Sequence, residues 1–272
     1  MSLLSVEDLT IALPPGGDRA QAVSNISFAV DPGEVLCIVG ESGSGKSVTA
    51  AAIMGLLPRT LRGERGRILF EGRDLLALSN NAMRALRGAH LGMIFQEPMT
   101  ALNPLMRIGK QLAEPLRLHR GLSRGAARAR AIELADKVGL PDPDRIVRAF
   151  PHQLSGGQRQ RVGIAIALAC EPAVLIADEP TTALDVTVQA EILALLRDLV
   201  DEQGASLLFI THDLAVLSSV VSGLVVLADG KLVERTDIAA LAHGRHDPHT
   251  AELLRAARAA AFPTPGDPDA GS

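Results

Sequence analysis

The sequence predicts an α/β fold: a mostly parallel β-sheet with an antiparallel β part and one inserted α-helical subdomain. Two observations predict it. Short runs rich in valine and isoleucine alternate with stretches of helical periodicity, as in a sheet flanked by helices. Between about residues 105 and 170 the alternation stops, and helical patterns follow one another without a strand between them.

Several of the predicted strands are apolar along their whole length. This pattern is typical of strands that are covered on both faces, as parallel strands usually are. The predicted strands are 34–40, 66–72, 91–96, 173–178, 206–213 and 223–234.

The predicted helices lie between these strands and within the helical block. They are 46–57, 80–87, 125–138, 157–170, 186–203 and 213–221. We expect one domain over residues 1–255, with the helical subdomain at about 105–170 inserted in its α/β core. Residues 256–272 are expected to form a short disordered tail, because the chain is rich in Pro, Gly and Asp from Thr264 onward.

Composition argues against several classes of protein. The 272 residues carry a net charge of -4, and Tyr and Trp are absent, which disfavours a general nucleic-acid binder that stacks bases on aromatic rings. The apolar runs are far shorter than the roughly 18 residues of a spanning helix, and the N-terminus shows no secretory pattern. Cys37 and Cys170 lie in apolar runs and are expected to be buried, reduced thiols.

Residues 40–47 read GESGSGKS and match the phosphate-binding pattern G-x-x-x-x-G-K-[ST] between a predicted strand and a predicted helix. The glycines let backbone amides approach phosphate oxygens, and the helix start adds partial positive charge. Lys46 is expected to reach the β- and γ-phosphates, Ser47 to ligate Mg²⁺, and Thr49 to add a contact. The predicted phosphate-loop residues are Gly40, Glu41, Ser42, Gly43, Ser44, Gly45, Lys46, Ser47, Val48 and Thr49.

An acidic pair follows a second buried strand, in the sequence AVLIADEP. Asp178, at the carboxyl end of that strand, is placed to hold the magnesium shell. Glu179, one residue further, is placed to polarise a water against the γ-phosphate. We therefore expect Asp178 to be a metal ligand and Glu179 to be catalytic.

Two further polar residues end predicted strands. His212, in FITHD, closes a third strand on the same edge of the sheet and is expected to contact the γ-phosphate as a catalytic residue. Gln96 ends the strand before the helical block. Its amide is predicted to ligate the metal, to contact the nucleotide, and to pass the state of the γ-phosphate to the helical subdomain.

A second glycine-rich turn lies far from the phosphate loop in sequence. It reads LSGGQ and precedes the apolar helix that starts near residue 157. A hydroxyl and unobstructed amides at a helix N-terminus form another anion site. The residues expected to contribute are Ser155, Gly156, Gly157 and Gln158.

The stretches GESGSGKS, FQEP, LSGGQ, LIADEP, TALD and ITHD, in this order, resemble the nucleotide-binding subunit of an ABC transporter. The resemblance covers roughly residues 3–255. A phosphate loop alone is typical of all P-loop NTPases, whereas LSGGQ followed about twenty residues later by LIADEP is highly specific. The resemblance implies a P-loop NTPase core of the ABC type that hydrolyses ATP with Mg²⁺.

The resemblance also implies partners. Such cassettes pair head to tail, so that the LSGGQ turn of one chain contacts ATP held in the phosphate loop of the other, and Asp185 would lie along the dimer seam. Two integral membrane permease subunits and an extracytoplasmic solute-binding protein would complete the assembly. The chain would be peripheral, at the cytoplasmic face of the membrane, with the surface from Met99 to Leu105 as the candidate permease contact.

A narrower resemblance concerns the cargo. The sequences around FQEP and LSGGQ are similar to the peptide/nickel uptake branch, and DPHTAELLRA resembles that branch's closing motif, which usually reads H-P-Y-T. Asp247 and His249 depart from that motif. Leu13 stands about where such cassettes carry an aromatic ring that stacks on adenine, so base contact is expected to be apolar.

Peptide import is therefore the expected function, and nickel or another small solute is the alternative within the same branch. A soluble ABC ATPase acting on DNA or ribosomes is the alternative of another class. Such proteins usually contain two cassettes, coiled-coil arms or zinc-binding cysteines. This chain shows one cassette and two isolated cysteines, which favours the transporter.

Overall fold

The computed structural model describes residues 2–16, 19–96, 101–182, 184–213, 221–237, 240–242, 244 and 246–261. It confirms the predicted α/β fold and contains ten strands within those residues. The strands are β1 (Leu4–Ala12), β2 (Gln21–Val30), β3 (Val35–Val39), β4 (Arg62–Phe70), β5 (Arg73–Asp74), β6 (Leu91–Ile94), β7 (Val174–Asp178), β8 (Ser206–Thr211), β9 (Gly223–Ala228) and β10 (Lys231–Asp237).

Five of the predicted α-helices are present, with ends shifted by up to four residues, whereas the helices at 108–119, 143–146 and 248–261 were not predicted individually. The predicted helix at 213–221 lies outside the described residues apart from its two ends. The helices are α1 (Lys46–Ile53), α2 (Asn80–Leu86), α3 (Ile108–His119), α4 (Arg124–Lys137), α5 (Pro143–Ile146), α6 (Gly156–Leu168), α7 (Val186–Gln203) and α8 (Pro248–Ala261), with short 3₁₀ turns at Leu75–Ala77, Pro151–Gln153 and Ala240–Ala242.

Two sheets form the α/β core. The larger has the order β10-β9-β3-β8-β7-β6, in which β9 to β6 run parallel and β10 is antiparallel to β9. The smaller has the order β2-β1-β4-β5 and is antiparallel. The predicted mixture of a parallel sheet and an antiparallel part is therefore present.

The prediction of one strand over 223–234 is wrong. The chain reverses at Asp229 and Gly230, which have φ values of 49° and 78°, and the two halves pair as the hairpin β9–β10. An Asp-Gly pair favours this reversal because both central residues of such a turn need positive φ.

The helical block lies between β6 and β7, as predicted, and contains α3 to α6. Buried side chains on one face of α3, including Ile108 and Leu112, join an apolar cluster with Ala127 and Ala131 of α4. The N-terminal helix caps are Arg107 for α3 and Ser123 for α4. The C-terminal helix α8 extends to Ala261, six residues beyond the expected domain boundary at 255, and the rest of the predicted tail lies outside the described residues.

Both faces of the larger sheet are buried along its parallel strands, and alternate residues of these strands belong to different cores. In β3, Val35, Cys37 and Val39 face the cluster shared with the helical block, whereas Leu36 and Ile38 face the antiparallel sheet. This arrangement explains the continuous apolar runs of the sequence. Both cysteines are buried and free, as predicted. Within the described residues, no helix is both long and apolar enough to span a bilayer.

Candidate active site

The phosphate loop joins the carboxyl end of β3 to the start of α1. Its glycines are required by geometry: a Cβ on Gly40 would lie 2.1 Å from the Leu227 carbonyl oxygen, and one on Gly45 would lie 2.8 Å from the Ala22 carbonyl oxygen. Gly45, with φ 104°, occupies the N-cap of α1 and has no side chain to cover the first amides of the helix. Those amides remain available to an anion.

Lys46 is buried, and its ammonium group folds back over the loop. Nζ donates to the carbonyl oxygens of Gly40, at 2.7 Å, and Glu41, at 2.9 Å. Burial lowers the pKa of Lys46, and the carboxylates of Glu179 and Asp178 oppose that shift. The acidic pair and the loop therefore already interact electrostatically.

Ser47 and Asp178 meet across the end of the parallel sheet. The Ser47 hydroxyl donates to Asp178 Oδ1 at 2.9 Å, although 131 positions separate the two residues. Asp178 is only 6% exposed; burial raises its pKa, and the hydrogen bond from Ser47 acts in the opposite direction. The two side chains present adjacent oxygen atoms of the kind that Mg²⁺ binds.

Glu179 lies where three polar side chains converge. Its Oε2 is 3.0 Å from Gln96 Nε2, 3.0 Å from the Thr182 hydroxyl and 3.3 Å from His212 Nδ1. The structure thus brings together Gln96, Glu179 and His212, which the sequence placed at the ends of three strands. Thr182 was not predicted. The sequence feature that could have identified it is a hydroxyl residue three positions after Glu179.

The backbone of Glu179 adopts a left-handed conformation with φ 44°. For a residue other than glycine this conformation costs on the order of 1–3 kcal/mol. Its amide donates to the Ile210 carbonyl of β8 at 2.9 Å, which fixes the turn against the neighbouring strand. The side chain is 12% exposed, so the carboxylate is held in a mostly enclosed place.

The remaining loop residues differ in exposure. Glu41, Ser42 and Gly43 are exposed, whereas the hydroxyl of buried Ser44 has no hydrogen-bond partner among the described residues. Thr49 is fully buried and its hydroxyl donates to the Gly45 carbonyl at 2.9 Å, so the predicted phosphate contact of Thr49 stays a prediction. Val48 is half-buried against the apolar cluster beneath the antiparallel sheet.

The LSGGQ turn caps helix α6. The Gln158 amide donates to Ser155 Oγ at 3.3 Å, and the Ser155 amide donates to Gln158 Oε1 at 3.0 Å. This reciprocal cap uses the amides of Ser155 and Gln158 and leaves those of Gly156 and Gly157 at the open end of the helix.

The LSGGQ turn and the predicted seam residue lie side by side. A Cβ on Gly157 would approach Val188 of α7 to 3.0 Å, and Asp185 caps α7 by accepting from the Val188 amide at 2.9 Å. Val186, next in the chain, is 82% exposed. The starts of α6 and α7 therefore form one surface.

A cleft of about 410 Å³ lies beside the phosphate loop. Arg19 lines it and donates from its guanidinium to the Gly43 carbonyl oxygen. Arg19 was also not predicted, because nothing in its sequence neighbourhood marks it. The residues lining the cleft are Leu13, Arg19, Glu41, Ser42, Gly43, Ser44, Leu227, Ala228, Asp229, His249 and Leu253.

Known proteins are similar to this chain in sequence and in fold. A sequence profile of the ABC transporter family matches residues 23–182. The chain is 51% identical to the oligopeptide transport ATP-binding protein OppD of Bacillus subtilis, over 93% of this chain and 71% of that protein. It is 47% identical to a protein of Brucella abortus named for peptide import and ATP binding, over 93% of this chain and 77% of that protein.

A third relative is longer. The peptidoglycan transport ATP-binding protein YejF of Agrobacterium fabrum is 51% identical, and the chain spans 93% of its own length but 47% of that protein. Among solved structures, the dimeric ATP-binding cassette MJ0796 in a post-hydrolysis state with ADP and Pi is 30% identical, with a TM-score of 0.76. That comparison covers 86% of this chain and 98% of the cassette.

The profile covers more than half of the chain, and two of these relatives are covered over more than two thirds of their length. The alternative of a DNA- or ribosome-acting protein finds no support in the names of these relatives. The chain belongs to the ABC transporter family and is one of its ATPase cassettes.

Proposed function

We propose that this chain is the ATP-hydrolysing subunit of an importer of di- and oligopeptides. The observation that carries the catalytic part is the convergence of Gln96, Thr182 and His212 on Glu179 Oε2 beside the phosphate loop. The names of relatives at 47–51% identity support peptides as the cargo class.

Hydrolysis follows from the positions of these side chains. Water attacks the γ-phosphorus, and the Glu179 carboxylate accepts a proton from that water as the bond forms. Gln96 and Thr182 hold the carboxylate in place, while His212 and Lys46 stabilise negative charge on the γ-phosphate oxygens. The bond to the β-phosphate oxygen breaks, and ADP and inorganic phosphate are the products.

Magnesium fits the donor set. Ser47, Asp178 and Gln96 would hold it, because a hydroxyl, a buried carboxylate and an amide oxygen are hard ligands, and the nucleotide and water complete such a shell. When bound, the ion neutralises charge on the β- and γ-phosphates. The Gln96 side chain would have to present its oxygen to the ion, whereas its nitrogen now donates to Glu179.

The active unit is a pair of cassettes, identical or different. Ser155, Gly156, Gly157 and Gln158 of one subunit would contact ATP held in the phosphate loop of the other. Asp185 would lie at the seam, since it shares a surface with the LSGGQ turn. Two permease subunits would bind this pair at the cytoplasmic face of the membrane and receive peptide from a solute-binding protein.

The test starts from the native membrane complex. Affinity-tagged chain is purified from detergent-solubilised membranes of its host, and two polytopic membrane proteins should co-purify with it. The complex is placed in proteoliposomes with its solute-binding protein, and uptake of labelled oligopeptide is measured with and without ATP. We expect ATP-dependent peptide uptake that is lost in the Lys46→Ala complex.

Labelled nickel in the same vesicles tests the alternative cargo. Uptake of nickel without uptake of peptide would overturn the peptide assignment but leave the ATPase assignment standing. Purification without any polytopic partner would argue against the transport role itself.

A further inference from the structure

The cleft beside the phosphate loop has the chemistry of a purine site. Leu13, Leu227 and Leu253 provide apolar surface, and Glu41 to Ser44 of the phosphate loop form one side of the cleft. A nucleotide whose phosphates occupy the loop therefore has this cleft within reach of its base. Its volume of about 410 Å³ is within the range of small-molecule sites.

The cleft contains an aromatic side chain, but that side chain does not come from β1. The chain has no Tyr and no Trp, and Leu13 stands near the end of β1. Among the described residues that line the cleft, His249 supplies the one aromatic ring. His249 is exposed and lies in the first turn of α8, so its ring is free to pack on a ligand.

A buried contact between a histidine and a glutamate fixes the start of α8 against the sheet. His246 Nδ1 lies 2.8 Å from Glu234 Oε1 of β10, with the two side chains only 9% and 15% exposed. The Asp247 amide donates to Glu234 Oε2 at 2.9 Å, and His246 Nε2 lies 3.2 Å from the Leu241 carbonyl oxygen. His249 lies three positions after His246, so this contact fixes the start of the helix that carries the His249 ring.

We propose that the base of bound ATP packs between the Leu13 side chain and the imidazole ring of His249. The last helix of the chain thereby supplies the aromatic face that the first strand lacks. This inference rests on the proposed ATPase function and assigns two residues that recognise the base rather than the phosphates.

The test compares a ligand with a base and a ligand without one. Dissociation constants for Mg²⁺–ATP and for Mg²⁺–tripolyphosphate are measured by calorimetry on the full chain and on His249→Ala. We expect His249→Ala to weaken ATP binding about 5- to 20-fold, the size of one lost stacking contact, and to leave tripolyphosphate unchanged. His249→Phe should restore ATP binding, because it restores a ring face.

Arg255→Ala is the matched control, since Arg255 is an exposed residue of the same helix that does not line the cleft. It should change neither constant. Leu13→Ala should weaken ATP binding and leave tripolyphosphate unchanged, as His249→Ala does. Melting temperatures of all variants verify that each is folded.

Unchanged ATP binding in folded His249→Ala would overturn the inference, and so would equal weakening of both ligands. Failure of the unaltered chain to bind ATP would instead contradict the proposed function. The two failures are therefore distinguishable.

Discussion

Glu179 combines three unusual features of backbone, exposure and contacts. Its backbone is left-handed, its carboxylate is mostly enclosed, and one of its oxygen atoms faces Gln96, Thr182 and His212. A carboxylate used only for solubility would gain nothing from such a position. These features make Glu179 the residue whose replacement should separate binding from hydrolysis.

We expect Glu179→Gln to lower ATP turnover by roughly 10²–10⁴-fold, as the loss of a general base does. ATP binding should persist, because the phosphate loop is untouched and the substitution preserves size. Phosphate release and equilibrium nucleotide binding are measured on the same preparation.

Glu71→Gln provides the control for backbone conformation, because Glu71 also has positive φ, at 49°, but lies in the turn between β4 and β5. It should hydrolyse ATP like the unaltered chain. Near-normal turnover in Glu179→Gln would remove Glu179 from the mechanism.

The sequence predicted much of the candidate site residue by residue. Lys46, Ser47 and Asp178 were assigned because a glycine loop and an acidic strand end have recognisable patterns, and the structure brings these side chains together. Thr182 and Arg19 were missed because a single hydroxyl or guanidinium has no pattern of its own. Their partners are set by tertiary folding, which local spacing does not encode.

Among the elements, some strands were predicted from the sequence pattern, whereas others were missed or merged. β3, β7 and β8 are buried along their whole length and were predicted within two residues. β1 and β2 were missed because register shifts interrupt their pairing and with it the alternation of apolar side chains. β9 and β10 were merged because the apolar pattern continues on both sides of the Asp-Gly turn between them.

The glycines of two neighbouring elements should respond oppositely to alanine. Gly163, within α6, has open space where the methyl group of alanine would stand, whereas a Cβ on Gly92 of β6 would lie 2.7 Å from the Ala167 carbonyl oxygen. We expect Gly163→Ala to stabilise the fold by about 0.5–1 kcal/mol, because alanine restricts the unfolded chain and favours helix.

Gly92→Ala should destabilise the fold by about 1–3 kcal/mol, since the backbone contact cannot yield without displacing α6. Denaturant unfolding of both variants measures the difference. A stabilising Gly92→Ala would mean that β6 and α6 pack less closely than described.

The contact between β10 and α8 should weaken at low pH. Burial disfavours the charged form of Glu234, but the hydrogen bonds from His246 and the Asp247 amide outweigh it and hold the pKa of Glu234 below its ordinary 4.5. A lowered carboxyl pKa stabilises the fold above the unfolded pKa, and that contribution is lost as pH falls through the folded value.

We therefore expect amides of α8 to exchange hydrogen faster as pH drops below about 4.5, after correction for intrinsic exchange. In Glu234→Gln this acid dependence should disappear, whereas Glu252→Gln, an exposed carboxylate on α8 itself, should retain it. An identical acid response in Glu234→Gln would assign the effect to another group.

In the whole molecule, one sheet separates two apolar cores, and the candidate active site lies at the carboxyl ends of its parallel strands. The site residues of β7 and β8 and the phosphate loop after β3 all lie at carboxyl ends of parallel strands. The LSGGQ turn belongs to the inserted helical block and caps α6. In the proposed pair, a second cassette would supply that turn to the nucleotide.

We expect ATP to convert the Glu179→Gln chain from monomer to dimer, measured by light scattering, when the chain pairs with itself. Adding Ser155→Arg should abolish this dimer, because a long cation would replace the small hydroxyl at the nucleotide contact.

Ser123→Arg is the matched change, because Ser123 caps α4 through its hydroxyl in the way that Ser155 caps α6. That variant should still dimerise with ATP. Equal loss of dimer in both variants would indicate a general effect of uncapping a helix rather than a contact across subunits.

The left-handed backbone at Glu179 has a consequence for anyone who engineers this protein. Glycine adopts that conformation freely, so a screen for thermostability alone would reward glycine at position 179. The selected variant would be more thermostable but would not hydrolyse ATP. A selection campaign on this cassette should therefore score activity in every round, because its fold and its chemistry favour different residues at this point.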